Sequence, residues 1–198
     1  MERKYIEGFN QSELPPRDSD MDPTVIRSMA SGSTPFTPEQ VKEMLEKHDD
    51  FIQSGGGGGR FERLHLSGIP MNIYMGGKGN KGKQLEVRMK HFSPDVSLEN
   101  AALPYADFAG AIAEEVNFQG ANLDHSLLTD SFLAGADFDN SSAVGADFTG
   151  ADLTGASFVN ADLREADFEI SNCTGVDFTG ANLEGALFKG TTLNGIRR

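Results

Sequence analysis

The sequence predicts an all-β solenoid of about five regular coils over residues 96–196, preceded by a capping α-helix and an extended N-terminal tail. The first observation is the period. From Val96 to Ile196 the chain repeats every five residues without a slip: a small residue, usually Asp or Asn, then Leu or Phe, then two polar or glycine positions. Ala146-Asp147-Phe148-Thr149-Gly150, Ala151-Asp152-Leu153-Thr154-Gly155 and Ala181-Asn182-Leu183-Glu184-Gly185 are clear copies. The second observation is the centre of each unit. Central positions run from Leu98 to Leu193 in steps of five, making twenty units, of which seventeen carry Leu or Phe.

A period of five fits neither the two of a strand nor the 3.6 of a helix, so it demands a stacked repeat. A corner every five residues closes a square coil after four units. Residues twenty apart then stack at roughly 4.8 Å, the spacing of paired strands. The third observation checks this: the central residues sort into four columns. One column holds Leu98, Phe118, Phe138, Phe158 and Phe178, and the column opposite holds Phe108, Leu128, Phe148, Phe168 and Phe188. Leu dominates the other two. Small residues such as Ala101, Ala121 and Ala161 are expected inside beside them, with Asp, Asn, Thr, Glu and Gly outside. Gly at the fifth place suits a corner.

The A-(D/N)-(L/F)-x-x series resembles the pentapeptide repeat proteins. That resemblance covers about half the chain and implies a right-handed quadrilateral β-helix. It implies fold more than function, since one fold hosts many roles. It also implies that the C-terminal coil can pair end to end, so the expected outcome is a homodimer through that coil or a partner-capped end. Some members are similar to duplex DNA in width and negative charge, and bind gyrase.

Formal net charge is −13. Residues 96–196 carry sixteen Asp and Glu against Arg164 and Lys189, a net −14, while residues 1–95 are near neutral. An acidic rod repels nucleic acid and anionic membranes. It suits a partner with a basic groove instead. The single Cys173 excludes an intramolecular disulfide and sits at a central position, as a buried hydrophobe. No apolar run approaches the ~20 residues of a membrane span. No apolar core follows Met1-Glu2-Arg3-Lys4-Tyr5, so the expected compartment is the cytoplasm.

Residues 1–36 read as a tail rich in breakers, with one helical island at Asp22–Met29. Asp22 caps it, Pro23 starts it, and Val25, Ile26 and Met29 share a face. The island docks either on this rod or on another protein. Residues 37–54 form a capping helix signalled by Thr37, Pro38 and Gln40, with Val41, Met44, Leu45, His48 and Ile52 at helical spacing. Its expected role is to cover the open end of the coil. Gly55–Gly59 is a joint. Residues 60–95 read as an irregular first coil. Leu64–Gly68 and Ile69–Met71 resemble degenerate units, a Gly/Lys-rich hairpin is inserted at Gly76–Lys83, and Leu85, Val87 and Met89 alternate as in a strand.

The insert matches a phosphate loop superficially, but a strand-like run follows where such loops need a helix, and Gln84 replaces the hydroxyl. Lys78, Lys81 and Lys83 are candidate contacts to an acidic partner or to the rod itself. The four His have no metal-ligand spacing, and Glu114-Glu115 reads as solvated surface. No catalytic residue, cofactor or metal is expected. Outward apolar residues carry more information: Ile112 and Phe132 one coil apart, Leu127 on the neighbouring face, and Ile170 with Leu187 in a second patch. Each is a docking place for the tail or for a partner. The function expected is that of a non-catalytic structural or adaptor protein. The alternative is an acidic DNA mimic that binds gyrase.

Overall fold

The computed structural model describes residues 22–32, 34–53, 59–66, 69–76, 87–93 and 95–198. The tail before Asp22, the glycines 55–58 and Lys78, Lys81 and Lys83 lie outside the described residues. From Ser97 onward, parallel bridges join residues twenty apart: Ser97↔Asn117, Ala102↔Asn122, Asp107↔Leu127, Ile112↔Phe132, and so on to Asp177↔Arg197.

The five-residue unit follows from turn chemistry. Each central carbonyl from Leu98 to Phe188 accepts from the N–H three residues on, as Phe118 does from Ala121 at 2.9 Å and Phe158 from Ala161 at 3.1 Å. The fifth place takes positive φ throughout, for example +55° at Asn100, +66° at Gly120 and +58° at Asn160. A turn with positive φ at its third residue is type II, which wants Gly or Asn there. The Asp or Asn before the centre closes the same corner. Asp137 Oδ1 accepts the Asp139 N–H at 2.9 Å, Asp147 the Thr149 N–H at 3.0 Å, and Asn182 the Glu184 N–H at 3.2 Å. Ser142 and Ser157 break the rule, and the preceding coil compensates: Asp124 accepts from Ser142 and from the Val144 N–H, and Asp139 from Ser157 and the Val159 N–H.

The core is filled by these central residues. Phe118, Phe138 and Phe158 stack at 4.7 and 4.6 Å between centroids, and Phe148 stacks on Phe168 at 4.9 Å. Across the coil the two columns meet edge to face, Phe138 to Phe148 at 5.9 Å and Phe158 to Phe168 at 5.9 Å. Stacking along a column with edge contacts across it avoids the unfavourable face-to-face sandwich on every side. One column departs from the expected alternation. Asp107, Leu127, Asp147 and Asp167 occupy an outward place yet are buried.

The structure corrects parts of the reading of residues 60–95, and the insert expected at Gly76–Lys83 lies almost wholly outside the described residues. Residues 64–66 and 69–71 lie in paired strands and not in degenerate units. β1 (Gly59–Leu66) and β2 (Ile69–Gly76) pair antiparallel, from Gly59↔Gly76 to Leu66↔Ile69. Two strand-like runs on either side of Ser67-Gly68 are a hairpin signal, and the alternating leucines satisfy both templates. The alternation at Val87 and Met89 is not a strand either. The Lys90 N–H returns to the Val87 carbonyl at 3.1 Å and Met89 has φ +51°, which is one more repeat corner. Val87 donates to the Asp107 carbonyl, Met89 to Ala109, and Phe92 to Ile112, so coiling is already under way there. Phe92 and Leu98 are six residues apart, and that one-residue insertion hides the earlier units from a strict count of five.

α2 (Pro38–Gln53) starts with the expected box: the Thr37 N–H donates to Gln40 Oε1 at 3.0 Å, and the Gln40 N–H to Thr37 Oγ1 at 3.4 Å. Its Val41 is buried, and Met44 and Leu45 partly so, against a cluster containing Val87, Phe92, Leu98 and Leu103. Ahead of it, Phe36 bridges Phe92 in parallel, accepting from the Ser93 N–H and donating to the His91 carbonyl. That contact pairs backbone groups at a sheet edge. At the other end Leu183, Phe188, Leu193 and Ile196 are only half-buried, unlike their counterparts a coil earlier.

Candidate functional site

The first helix reaches the rod at Ile112 and Phe132. α1 (Pro23–Ser31) is capped by Asp22, whose Oδ1 accepts the Thr24 N–H at 2.8 Å and its hydroxyl at 2.6 Å. Ile26 and Ala30, one turn apart, are buried with Ile112 and Phe132, and Met89 packs beside them. The expected shared face of Val25, Ile26 and Met29 is therefore split. A helix turns about 100° per residue. Ile26 points at the rod, while Val25 and Met29 stay 48% and 56% exposed.

Ile112 and Phe132 occupy places where the repeat asks for Asp or Asn, so they supply no oxygen to the N–H two residues on. The helix covers both, leaving them 4% and 8% exposed. Gly110 lets it come close. A Cβ there would lie 3.0 Å from Ile26 Cγ2 and 3.1 Å from Met89 Cγ, and its φ is +64°. Arg27 fastens the edge. Its guanidinium forms two bonds to the Glu114 carboxylate, at 2.8 and 2.9 Å, and lies 4.9 Å from the centre of the Phe132 ring. Glu114 is thus a partly exposed ion-pair partner, while Glu115 beside it is solvated surface as expected. Arg27, Ala30, Met89 and Gly110 were missed as contact residues. The adjacency of Arg27 to Ile26 was the legible signal.

Leu127 is buried at 3% in its column and offers no exposed patch. Ile170 and Leu187 do, at 58% and 48% exposure. The Cys173 thiol is pushed up to about 11 by burial, so it stays protonated beside Ser171. Burial pulls His48 down to about 4, although its ring donates to the Pro104 carbonyl. Among the described residues no group of three or more His, Cys, Asp or Glu could hold a metal ion. None of the described helices is long and apolar enough to cross a membrane.

Eight copies of the pentapeptide repeat model match the sequence, over residues 95–130, 133–169 and 171–195. This chain belongs to the pentapeptide repeat family. The family implies a right-handed quadrilateral β-helix, in keeping with the twenty-residue bridges. The chain is similar to three solved structures among others. A pentapeptide repeat protein from the cyanobacterium Cyanothece 51142 is 29% identical, over 47% of this chain and 63% of that one, with a TM-score of 0.43. A pentapeptide repeat protein from the Arabidopsis thaliana thylakoid lumen is 40% identical, over 46% of this chain and 59% of that one, with a TM-score of 0.29. QnrB1, a plasmid-mediated fluoroquinolone resistance protein, is 24% identical, over 56% of this chain and 66% of that one, with a TM-score of 0.36. The chain spans less than two thirds of each of these proteins. No curated protein matches it in sequence.

Proposed function

We propose that this pentapeptide repeat protein is a non-catalytic adaptor that binds a protein partner through its N-terminal helix and the outer surface of its rod. The observation that carries this reading is the two-sided helix α1. Ile26 and Ala30 hold it to the rod while Val25 and Met29 face outward. Large apolar side chains on a helix already anchored by its opposite edge are a ready contact surface. The filled Phe and Leu core supports the same reading, because it leaves the outer surface as the place for contacts.

The test is affinity purification from the native source with the full chain and with a Val25→Glu, Met29→Glu variant. Both side chains are exposed, so folding is retained. Loss of the recovered partner is expected with the variant, and equal recovery would remove the helix from the binding surface.

The acidity of the rod favours a second reading, a DNA mimic that binds gyrase. Much of that acidity already has a structural task, since Asp137, Asp147, Asp167 and Asp177 close their own turns. A supercoiling assay separates the two readings. The adaptor reading expects no inhibition of gyrase at micromolar protein, and the mimic reading expects inhibition.

A further inference from the structure

We infer that the corner formed by Ile170, Leu187 and Lys189 docks an amphipathic helix of a partner protein, one that carries a carboxylate beside its apolar anchor. This deepens the adaptor reading and rests on it.

Both apolar residues sit where the repeat wants something else. Ile170 holds φ +52° at the third place of a type II turn and is the one β-branched residue with positive φ among the described residues. β-Branched side chains are strongly disfavoured in that region. Leu187 stands at an Asp or Asn place and supplies no oxygen to the Lys189 N–H. Each therefore costs the fold something, and each is exposed. They belong to one corner: the Ile170 N–H donates to the Lys189 carbonyl at 3.0 Å, and Leu187 bridges Asp167 just before it. A Cβ on Gly190 would meet Ile170 Cγ2 at 3.1 Å, so that side chain lies over the Lys189–Gly190 step.

The molecule contains a worked precedent. Ile112 also replaces Asp or Asn, and the helix α1 covers it. Two residues on, Glu114 receives Arg27, the residue that follows the anchor Ile26. At the other corner the same offset leads from Leu187 to Lys189, with the charge reversed. Lys189 is the only lysine in residues 96–196, a segment of net charge −14. The matching helix carries Asp or Glu after its apolar anchor. A second copy's α1 would instead bring Arg27 against Lys189.

The test uses the full chain with methyl-labelled Ile and Leu and two synthetic peptides of residues 20–34, one unchanged and one carrying R27E. The R27E peptide is expected to shift the Ile170 and Leu187 methyl signals. Lys189→Glu should weaken that peptide at least fivefold and make the unchanged peptide the better ligand. Ile170→Asn with Leu187→Asp, which restores residues the repeat prefers, removes both reporters, so titration calorimetry reads this variant: binding of the R27E peptide should be lost while the rod stays folded. Binding that ignores the sign at position 189, or shifts confined to Ile112, would overturn the proposal. Concentration-dependent self-association removed by Leu187→Asp would also overturn it, by naming a second copy as the occupant. Affinity purification with the Ile170→Asn, Leu187→Asp chain distinguishes the two levels. A partner recovered equally well removes this corner and leaves the adaptor reading standing, whereas no partner with either chain removes both.

Discussion

Arg27 and Glu114 meet through two parallel hydrogen bonds of 2.8 and 2.9 Å, although they are 87 residues apart in sequence. Their side chains remain 46% and 35% exposed, so solvent screens the pair. A contribution of about 0.5–1 kcal/mol is appropriate. Arg27→Ala should raise the opening of α1 severalfold in amide hydrogen exchange. Ile26→Asp should raise it far more, because it puts a charge among Ile112, Phe132 and Ala30. Unchanged protection of residues 26–31 in both variants would show that neither contact holds the helix.

An Asp at the second place closes its turn through one oxygen, which Asn182 supplies equally well in its own unit. Asp137 Oδ1 accepts the Asp139 N–H at 2.9 Å. Asp137→Asn keeps that acceptor and should leave the thermal midpoint nearly unchanged. Asp137→Ala should cost about 1 kcal/mol, the usual worth of a lost capping bond. Equal destabilisation by both substitutions would assign the residue an electrostatic role instead.

Ile170 offers a stabilising substitution. Asn tolerates its +52° φ, and relief of the left-handed strain is worth about 1 kcal/mol. Ile170→Asn should therefore raise the midpoint of thermal unfolding. A lowered midpoint would mean that the exposed isoleucine stabilises the corner.

Acid should loosen the α2 contact. His48 is buried, with its pKa lowered from 6.5 to about 4 mainly by desolvation. The unfolded chain binds the proton first, so the stability contributed by neutral His48 is complete above pH 6.5. It falls as the pH drops toward 4 and levels below that. The full effect is on the order of 3 kcal/mol. His48→Gln should flatten this window in a pH series of urea midpoints. Parallel curves for the two proteins would exclude His48 as its source.

The stacked core can be probed through its buried thiol. Cys173, with a pKa of about 11, should react with a thiol reagent at neutral pH only when the rod opens. Phe158 stacks on Phe138 at 4.6 Å and on Phe178 at 5.5 Å. Phe158→Ala should cost about 3–5 kcal/mol and speed the labelling sharply. Rapid labelling of the unaltered chain would contradict the burial of this column.

The repeat was legible because its physics is local. Turn, Asx acceptor and central side chain recur within five residues, so the period, the columns and the facing Phe stacks can be counted directly from the amino acids. The units at Val87 and Phe92 escaped because one inserted residue shifts the count, while the hydrogen bonds to Asp107 and Ile112 ignore it. The alternation in residues 59–76 fits repeat units and strands equally, and only backbone pairing chose the hairpin.

The contact surface was half legible. Ile112 and Phe132 stood out as apolar residues at polar places, and Pro23 announced a helix. What brought them together is the long-range fit of Ile26 and Ala30 over Gly110, which no local pattern encodes. The amino acids by themselves determined the rod, through interactions a few residues apart repeated twenty times. Tertiary structure alone decided that Ile112 and Phe132 are covered while Val25, Met29, Ile170 and Leu187 are not. That outcome depends on which surfaces meet across the whole chain.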